Sequence, residues 1–185
     1  MIPVILVEDG FSSLGDIVTA ELDKINQKYS SRYSVWHSDS DPNFSPKDTY
    51  TFSGIHCGTK KAAIQRAIDN HYEWVYEVTI PKNTEKLVIS DLGDDDTAKT
   101  ILYRFANSDK SFRTFLKMFG MEFDSQEYYN KLLRGYVRYY DCSYLEYINN
   151  IEDKGSTSYL VVVPTAITII NKYHLEKDGT LVLVD

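Results

Sequence analysis

Hydrophobic positions change their spacing several times along the chain, and each change marks an element. Residues 2–7 form a continuous apolar run that predicts a short buried strand. Ser13 then offers an N-cap with Asp16 three residues on. Leu14, Ile17, Val18, Leu22 and Ile25 share one stripe, so an amphipathic helix is expected to end near Lys28. A strand over 34–37 is cut off at 38–43, where Ser, Asp, Pro and Asn bond their own backbone and favour turns; the chain to about Asp48 reads as loop. Residues 50–57 predict the next strand. It ends in a glycine turn and passes directly into a helix capped by Thr59, with Ala63, Ile64, Ala67 and Ile68 inward and Lys60, Lys61 and Arg66 outward.

Trp74, Tyr76, Val78 and Ile80 alternate with Val75, Glu77 and Thr79, a period-two strand closed by Pro81, and 86–90 predicts another. The middle of the chain turns helical. Ala98, Ile101, Leu102 and Phe105 follow Thr97 at helix spacing; Phe112, Phe115, Leu116 and Phe119 repeat it; a third helix begins at Ser125, carries Tyr129, Leu132 and Leu133, and is expected to stop at Gly135. Strand patterns return at 144–148, 159–164, 167–170 and 180–184. This order predicts the α+β class with a mixed or antiparallel sheet. A length of 185 residues with no internal repeat or long linker predicts a single domain, 1–185. Residues 1–30 form an N-terminal strand and helix extension, and 97–135 a helical insert.

Composition narrows the function classes. Asp plus Glu outnumber Lys plus Arg by 27 to 20, so the field at neutral pH is net negative and opposes nonspecific binding to nucleic acid. No apolar run approaches the roughly 20 residues of a membrane span, and the first strand reaches Glu8 and Asp9 too soon for a secretory signal. A soluble, cytoplasmic protein is expected. Cys57 and Cys142 have neither metal-site spacing nor the numbers of a disulfide framework, and both are expected reduced, with no metal. Fifteen tyrosines fall mostly at alternating or helical spacings, where a half-buried ring with a wet hydroxyl explains them.

The chemistry concentrates in three stretches. Strand-to-helix junctions such as 52–67 put side chains and free amides at a pocket mouth. His37 ends a preceding strand, and Glu152 lies in a polar loop before a later one. Taken singly, His37 reads as a hydrogen-bonded surface residue, His56 as a satisfied histidine beneath a helix and Glu152 as solvated charge. Asp94, Asp95 and Asp96 lack the spacing of a calcium loop and suit a helix start. Cys57 beside His56 suggests a nucleophile and base, but neighbours on a strand point to opposite faces.

In order along the chain, however, these stretches are similar to those of ADP-ribosyltransferases of the diphtheria-toxin and poly(ADP-ribose) polymerase type. Trp36-His-Ser-Asp-Ser40 resembles their first motif, Gly54-Ile-His-Cys-Gly-Thr59 with an Ala-rich helix their second, and Tyr147-Ile-Asn-Asn-Ile-Glu-Asp-Lys-Gly-Ser-Thr-Ser-Tyr-Leu-Val-Val-Val-Pro164 the third block of many phage and bacterial members. The likeness runs from about Ser34 to Ile170. It implies sheets around a cleft for NAD, the co-substrate. His37 is then expected to hold a ribose hydroxyl, backbone at Ser38 to pair with the nicotinamide amide, and His56 to stack on the pyridinium. Two positions depart from the pattern: His56 stands where tyrosine is usual, and Ser38 where glycine commonly lets backbone approach the ligand.

Glu152 is the expected catalytic residue, with Glu146, Asp153 and Asp141 as substitutes if the loop folds differently. Cleaving the nicotinamide glycosidic bond builds positive charge on the ribose carbon, which a nearby carboxylate stabilises, and the same group can hold the 2′-hydroxyl and assist deprotonation of a nucleophile. The resemblance implies a mono-ADP-ribosyltransferase that modifies a protein target with release of nicotinamide, as a phage or bacterial effector does, in the host cytoplasm if phage-encoded. The alternative is a catalytically inactive module of the same fold that binds a protein through its tyrosine-rich, acidic surface; plain NAD hydrolysis is a third reading.

Overall fold

The computed structural model describes residues 31–48, 53–83, 85–90, 97–108, 110, 113–114 and 125–184. The strand expected at 2–7, the helix at 13–28, the aromatic run from Phe112 to Phe119, the three aspartates 94–96 and the start of the strand expected at 50–57 lie outside them, wholly or for the most part. Within them the chain is α+β, built on antiparallel sheets. Strands β1 (Arg32–Asp39), β3 (Trp74–Pro81), β6 (Thr168–Leu175) and β7 (Leu181–Val184) form one sheet in the order β1-β3-β6-β7. Strands β2 (Ile55–Cys57), β5 (Thr157–Val161) and β4 (Tyr144–Ile148) form a second in the order β2-β5-β4. Helices α1 (Lys60–Asn70), α2 (Ala98–Ser108) and α3 (Gln126–Tyr139) complete it.

Strand alternation sorts side chains between the layers. On β5, Leu160 packs with Ile101, Leu102, Leu133 and Val137 of α2 and α3, while its neighbour Val161 turns the other way, into a cluster with Val35, Tyr76, Val78 and Ile80 from the four-stranded sheet. Val75 and Leu175 meet Ala63 and Ala67 of α1 on the outer face of that sheet. The chain is thus helix on sheet on sheet on helices, each interface apolar.

Several boundaries differ from expectation. The first strand extends to Asp39 because residues 32–39 pair without interruption with 74–81 of β3. Pro81, expected to close β3, is its last residue; it faces Arg32, the first residue of β1, at the end of the ladder. Residues 86–90 make only a parallel bridge, Val88 with Glu146, rather than a strand. Helix α3 passes through Gly135 to Tyr139, since nothing in its surroundings requires the left-handed turn that a glycine stop provides. Ile68, expected inside, is 49% exposed, because α1 buries Ala62, Ala63 and Ala67 along a narrow small-residue face.

Besides the apolar interface between them, the two sheets are joined by backbone hydrogen bonds at a seam. Trp36 of β1 and Gly58, just beyond β2, exchange a pair of backbone hydrogen bonds, each 2.9 Å. Only glycine fits this approach: a Cβ at 58 would stand 2.7 Å from the Ser158 hydroxyl. The residues around this seam line a hollow.

Candidate functional site

Four segments supply the walls of this hollow, whose enclosed volume is about 10 Å³. They are the end of β1 with His37 and Ser38, strand β2 with His56 and Cys57, the first two turns of α1 with Arg66, and the β4–β5 region with Tyr147, Asn149, Glu152 and Ser158. His37, Ser38, His56 and Glu152, remote from one another in sequence, are therefore brought together. Glu146, Asp153 and Asp141 do not line it.

His37 is held on both edges. Its Nδ1 lies 2.8 Å from the His56 carbonyl oxygen, which can only accept, so Nδ1 carries the proton. Nε2 is 3.3 Å from Asp39 Oδ2, a carboxylate oxygen that can only accept, so Nε2 is the donor in that contact. Phe44 covers the ring at 4.6 Å between centroids, in a loop pinned by the Tyr76 hydroxyl donating to the Asp41 carbonyl at 2.7 Å. Burial pushes the Asp39 carboxyl up, but His37 and the backbone N–H groups of Asp41 and Ser40 outweigh it and hold the group below the usual range. Next along β1, the Ser38 hydroxyl is buried, with the residue 3% exposed, and has no hydrogen-bond partner among the described residues. A buried hydroxyl without a partner is costly by about 1–3 kcal/mol.

Glu152 is positioned by a loop that the sequence builds around Asn149. The Asn149 side-chain oxygen accepts backbone N–H bonds from Ile151, Glu152 and Asp153 at 3.0, 2.9 and 3.2 Å. Its Nδ2 donates to Glu152 Oε2 at 2.7 Å. Gly155 then supplies the positive φ of 86° that returns the chain to β5. The loop is fastened to α1 at two points. Asp153 accepts from the Thr59 hydroxyl at 2.7 Å and Lys61 at 2.8 Å, and Glu152 Oε1 accepts from Arg66 Nε at 2.7 Å and Nη2 at 2.6 Å.

Arg66, expected outward, is thus a wall of the hollow: Ala62 and Ala63 are small, and the long side chain lies over them toward the β4–β5 loop. Its side chain is 24% exposed and that of Glu152 11%. Burial raises the Glu152 carboxyl, yet the guanidinium beside it and the Asn149 amide more than compensate, holding it below its ordinary value. Glu152 is ionised at neutral pH.

The chain matches no family model and no curated protein. A solved structure, described as the crystal structure of an anti-CRISPR protein, is similar at 15% identity over 77% of this chain and 98% of that one, with a TM-score of 0.38.

His56 stands at the floor of the hollow, with Nδ1 2.9 Å from the Tyr147 hydroxyl and the two rings edge to face at 5.9 Å. Arg66 and Ser158 also interact with that hydroxyl, and burial pushes the Tyr147 phenol up to about 12, so it stays protonated and can act as a donor. Burial likewise pushes the Cys57 thiol up to about 12, against a smaller opposing effect of Arg66, and a thiol held neutral is no nucleophile. Both cysteines are buried thiols. Among the described residues no group of His, Cys, Asp and Glu could hold a metal ion, and no helix is long and apolar enough to cross a membrane.

Arg66, Tyr147, Asn149 and Ser158 are the site residues that periodicity missed. For Arg66 the available signal was its place one turn beyond Ala62 on the helix, next to a face too small to fill its own space. For Asn149 it was a side chain able to cap the backbone two and three residues on, three residues before the glutamate.

Proposed function

We propose that this chain is a mono-ADP-ribosyltransferase that transfers ADP-ribose from NAD to a protein target, with His37, Ser38 and His56 contacting the nicotinamide riboside end and Glu152 stabilising the transition state. The observation that carries the reading is an ionised, oriented carboxylate sharing one hollow with His37 and His56. The enclosed space, about 10 Å³, admits little more than one water, so the nicotinamide end lies against the mouth of the hollow and the rest of the dinucleotide extends over its rim. As the glycosidic bond breaks, its electron pair leaves with the nicotinamide nitrogen, and positive charge grows on the ribose carbon. Glu152 is more attractive to that charge than to the ground state. An acceptor lone pair then forms the new bond, and its proton passes to solvent. Held below its ordinary pKa, Glu152 acts here through charge and orientation more than as a proton acceptor.

The second reading is a non-catalytic interaction module on the same scaffold. The Arg66–Glu152 ion pair favours it, because a neutralised carboxylate stabilises a cation less. Incubation of pure protein with labelled NAD and a cell lysate separates the two. The transferase releases nicotinamide and labels a macromolecule, and Glu152→Gln abolishes both while leaving the fold intact. Release of nicotinamide without label indicates a hydrolase. Absence of both in the wild type, or activity persisting in Glu152→Gln, removes the proposal.

A further inference from the structure

We propose that Arg66 is the residue that recognises a phosphate of the ligand, and that in turning to it the guanidinium releases Glu152. The inference rests on the reading of the hollow as a dinucleotide site and extends it to the ligand's anionic part. Without ligand, Arg66 Nε and Nη2 both donate to one oxygen, Oε1, and Asn149 occupies part of Oε2. An oxygen has two lone pairs, so Oε1 is saturated and the carboxylate has room for one further donor, at Oε2. A carboxylate in this condition cannot both hold a ribose hydroxyl and present open charge to the carbon.

The hollow also needs a cation of its own. The chain carries a formal net charge of −7, which repels a phosphorylated ligand. Among the lining residues Arg66 is the only lysine or arginine; the nearby Lys61 is committed to Asp153 at 2.8 Å. A guanidinium fork fits phosphate as well as carboxylate, so exchanging one for the other keeps a partly buried cation paired. Glu152 keeps the Asn149 amide throughout the exchange and gains the ligand's hydroxyl donor. The side chain of Arg66 is 24% exposed, and the Ser38 hydroxyl, which also lines the hollow, has no hydrogen-bond partner among the described residues.

Calorimetric titration with NAD and with nicotinamide riboside, which lacks phosphate, tests this. Arg66→Ala and Arg66→Lys are expected to weaken NAD binding by about tenfold or more while changing riboside binding by less than about threefold. Glu152→Gln, which frees the guanidinium, is expected to bind NAD as tightly as the wild type or more so. Equal weakening of both ligands would mean that Arg66 only props the loop and would overturn the proposal, as would NAD binding indifferent to Arg66. Those results leave the dinucleotide reading standing; wild-type protein that binds neither ligand brings both down. Thermal melts accompany each variant, and if Arg66→Ala fails to fold, Arg66→Lys, which keeps the charge and loses the fork, decides.

Discussion

The hollow at the sheet seam and a second one beside Asn83 differ in ways that separate a site from a depression. The second is larger, about 220 Å³ against about 10 Å³, and is walled by Lys82, Asn83, Arg138, Asp141, Ser143 and Thr165 among others. Its buried polar groups are committed to the scaffold: Asn83 donates to the Tyr144 carbonyl at 2.9 Å and accepts from Ser143 N–H at 2.9 Å, and its own N–H meets the Tyr144 hydroxyl at 3.1 Å. Its cations are exposed, and Lys82 rests over the Tyr33 ring. In the seam hollow an ion pair is sequestered, a hydroxyl lacks a partner among the described residues, and two histidines line the wall. Size measures how much water a surface admits; arranged and incompletely satisfied polarity marks where a ligand completes the structure.

The sharpest attempt to break this contrast is to neutralise each hollow in turn. Glu152→Gln is nearly isosteric and should lower nicotinamide release by about a hundredfold or more, the scale of losing one transition-state electrostatic contact. The double change Lys82→Gln and Arg138→Gln should leave the rate within about twofold, since exposed charges contribute little. Comparable losses from both would show that the larger hollow belongs to the reaction.

Chain order and element type were legible for physical reasons. The alternation on β3 and the Thr59 cap on α1 are local, and their consequences do not depend on partners. His37, Ser38, His56 and Glu152 were legible through motif order, and they do line one hollow. What periodicity could not supply is which long polar residue turns inward. Arg66 follows the same helical rule as Lys60 and Lys61, yet it is drawn in by a carboxylate 86 residues away. Tyr147 looked like one more half-buried strand tyrosine until His56, Ser158 and Arg66 were found around its hydroxyl. Gly135 is a stop signal only when the tertiary context lets the helix end there, and α3 continues to Tyr139.

The two asparagines sharpen the contrast next, because each knits a loop. Asn149→Ala leaves three backbone N–H groups and a carboxylate oxygen without their partner; Asn83→Ala strips a similar set at the other hollow. Each should lose about 2–3 kcal/mol in denaturant unfolding. Only Asn149→Ala should also lose nicotinamide release, measured where both variants remain folded. Equal loss of activity would tie catalysis to stability rather than to the seam.

Acid provides a smaller perturbation, read at the seam as the difference between the wild type and Glu152→Gln. The carboxyl of Glu152 is depressed in the folded chain relative to its ordinary 4.5, so its contribution to stability is complete above that value and is lost as pH falls through the folded value. Melting temperatures followed downward from pH 7 should therefore fall more steeply below about pH 4.5 in the wild type than in Glu152→Gln. Asp39, depressed mainly by His37 against the upward push of burial, adds to the same decline in both proteins. Parallel curves would mean that the Arg66–Glu152 pair contributes nothing net to the fold.

Ser38→Ala should have the smallest effect on stability and the most informative sign. A hydroxyl with no partner contributes no hydrogen bond to the folded chain, so its removal should leave stability unchanged or raise it by up to about 1 kcal/mol. The same change should weaken NAD by about five- to tenfold if the hydroxyl meets the ligand, as the loss of one hydrogen bond predicts. Serine would then have been kept at a cost to the empty protein for a benefit seen only when the hollow is filled. A variant destabilised by more than about 1 kcal/mol would show instead that Ser38 serves the fold, and the contrast between the two hollows would then rest on Arg66 and Glu152 alone.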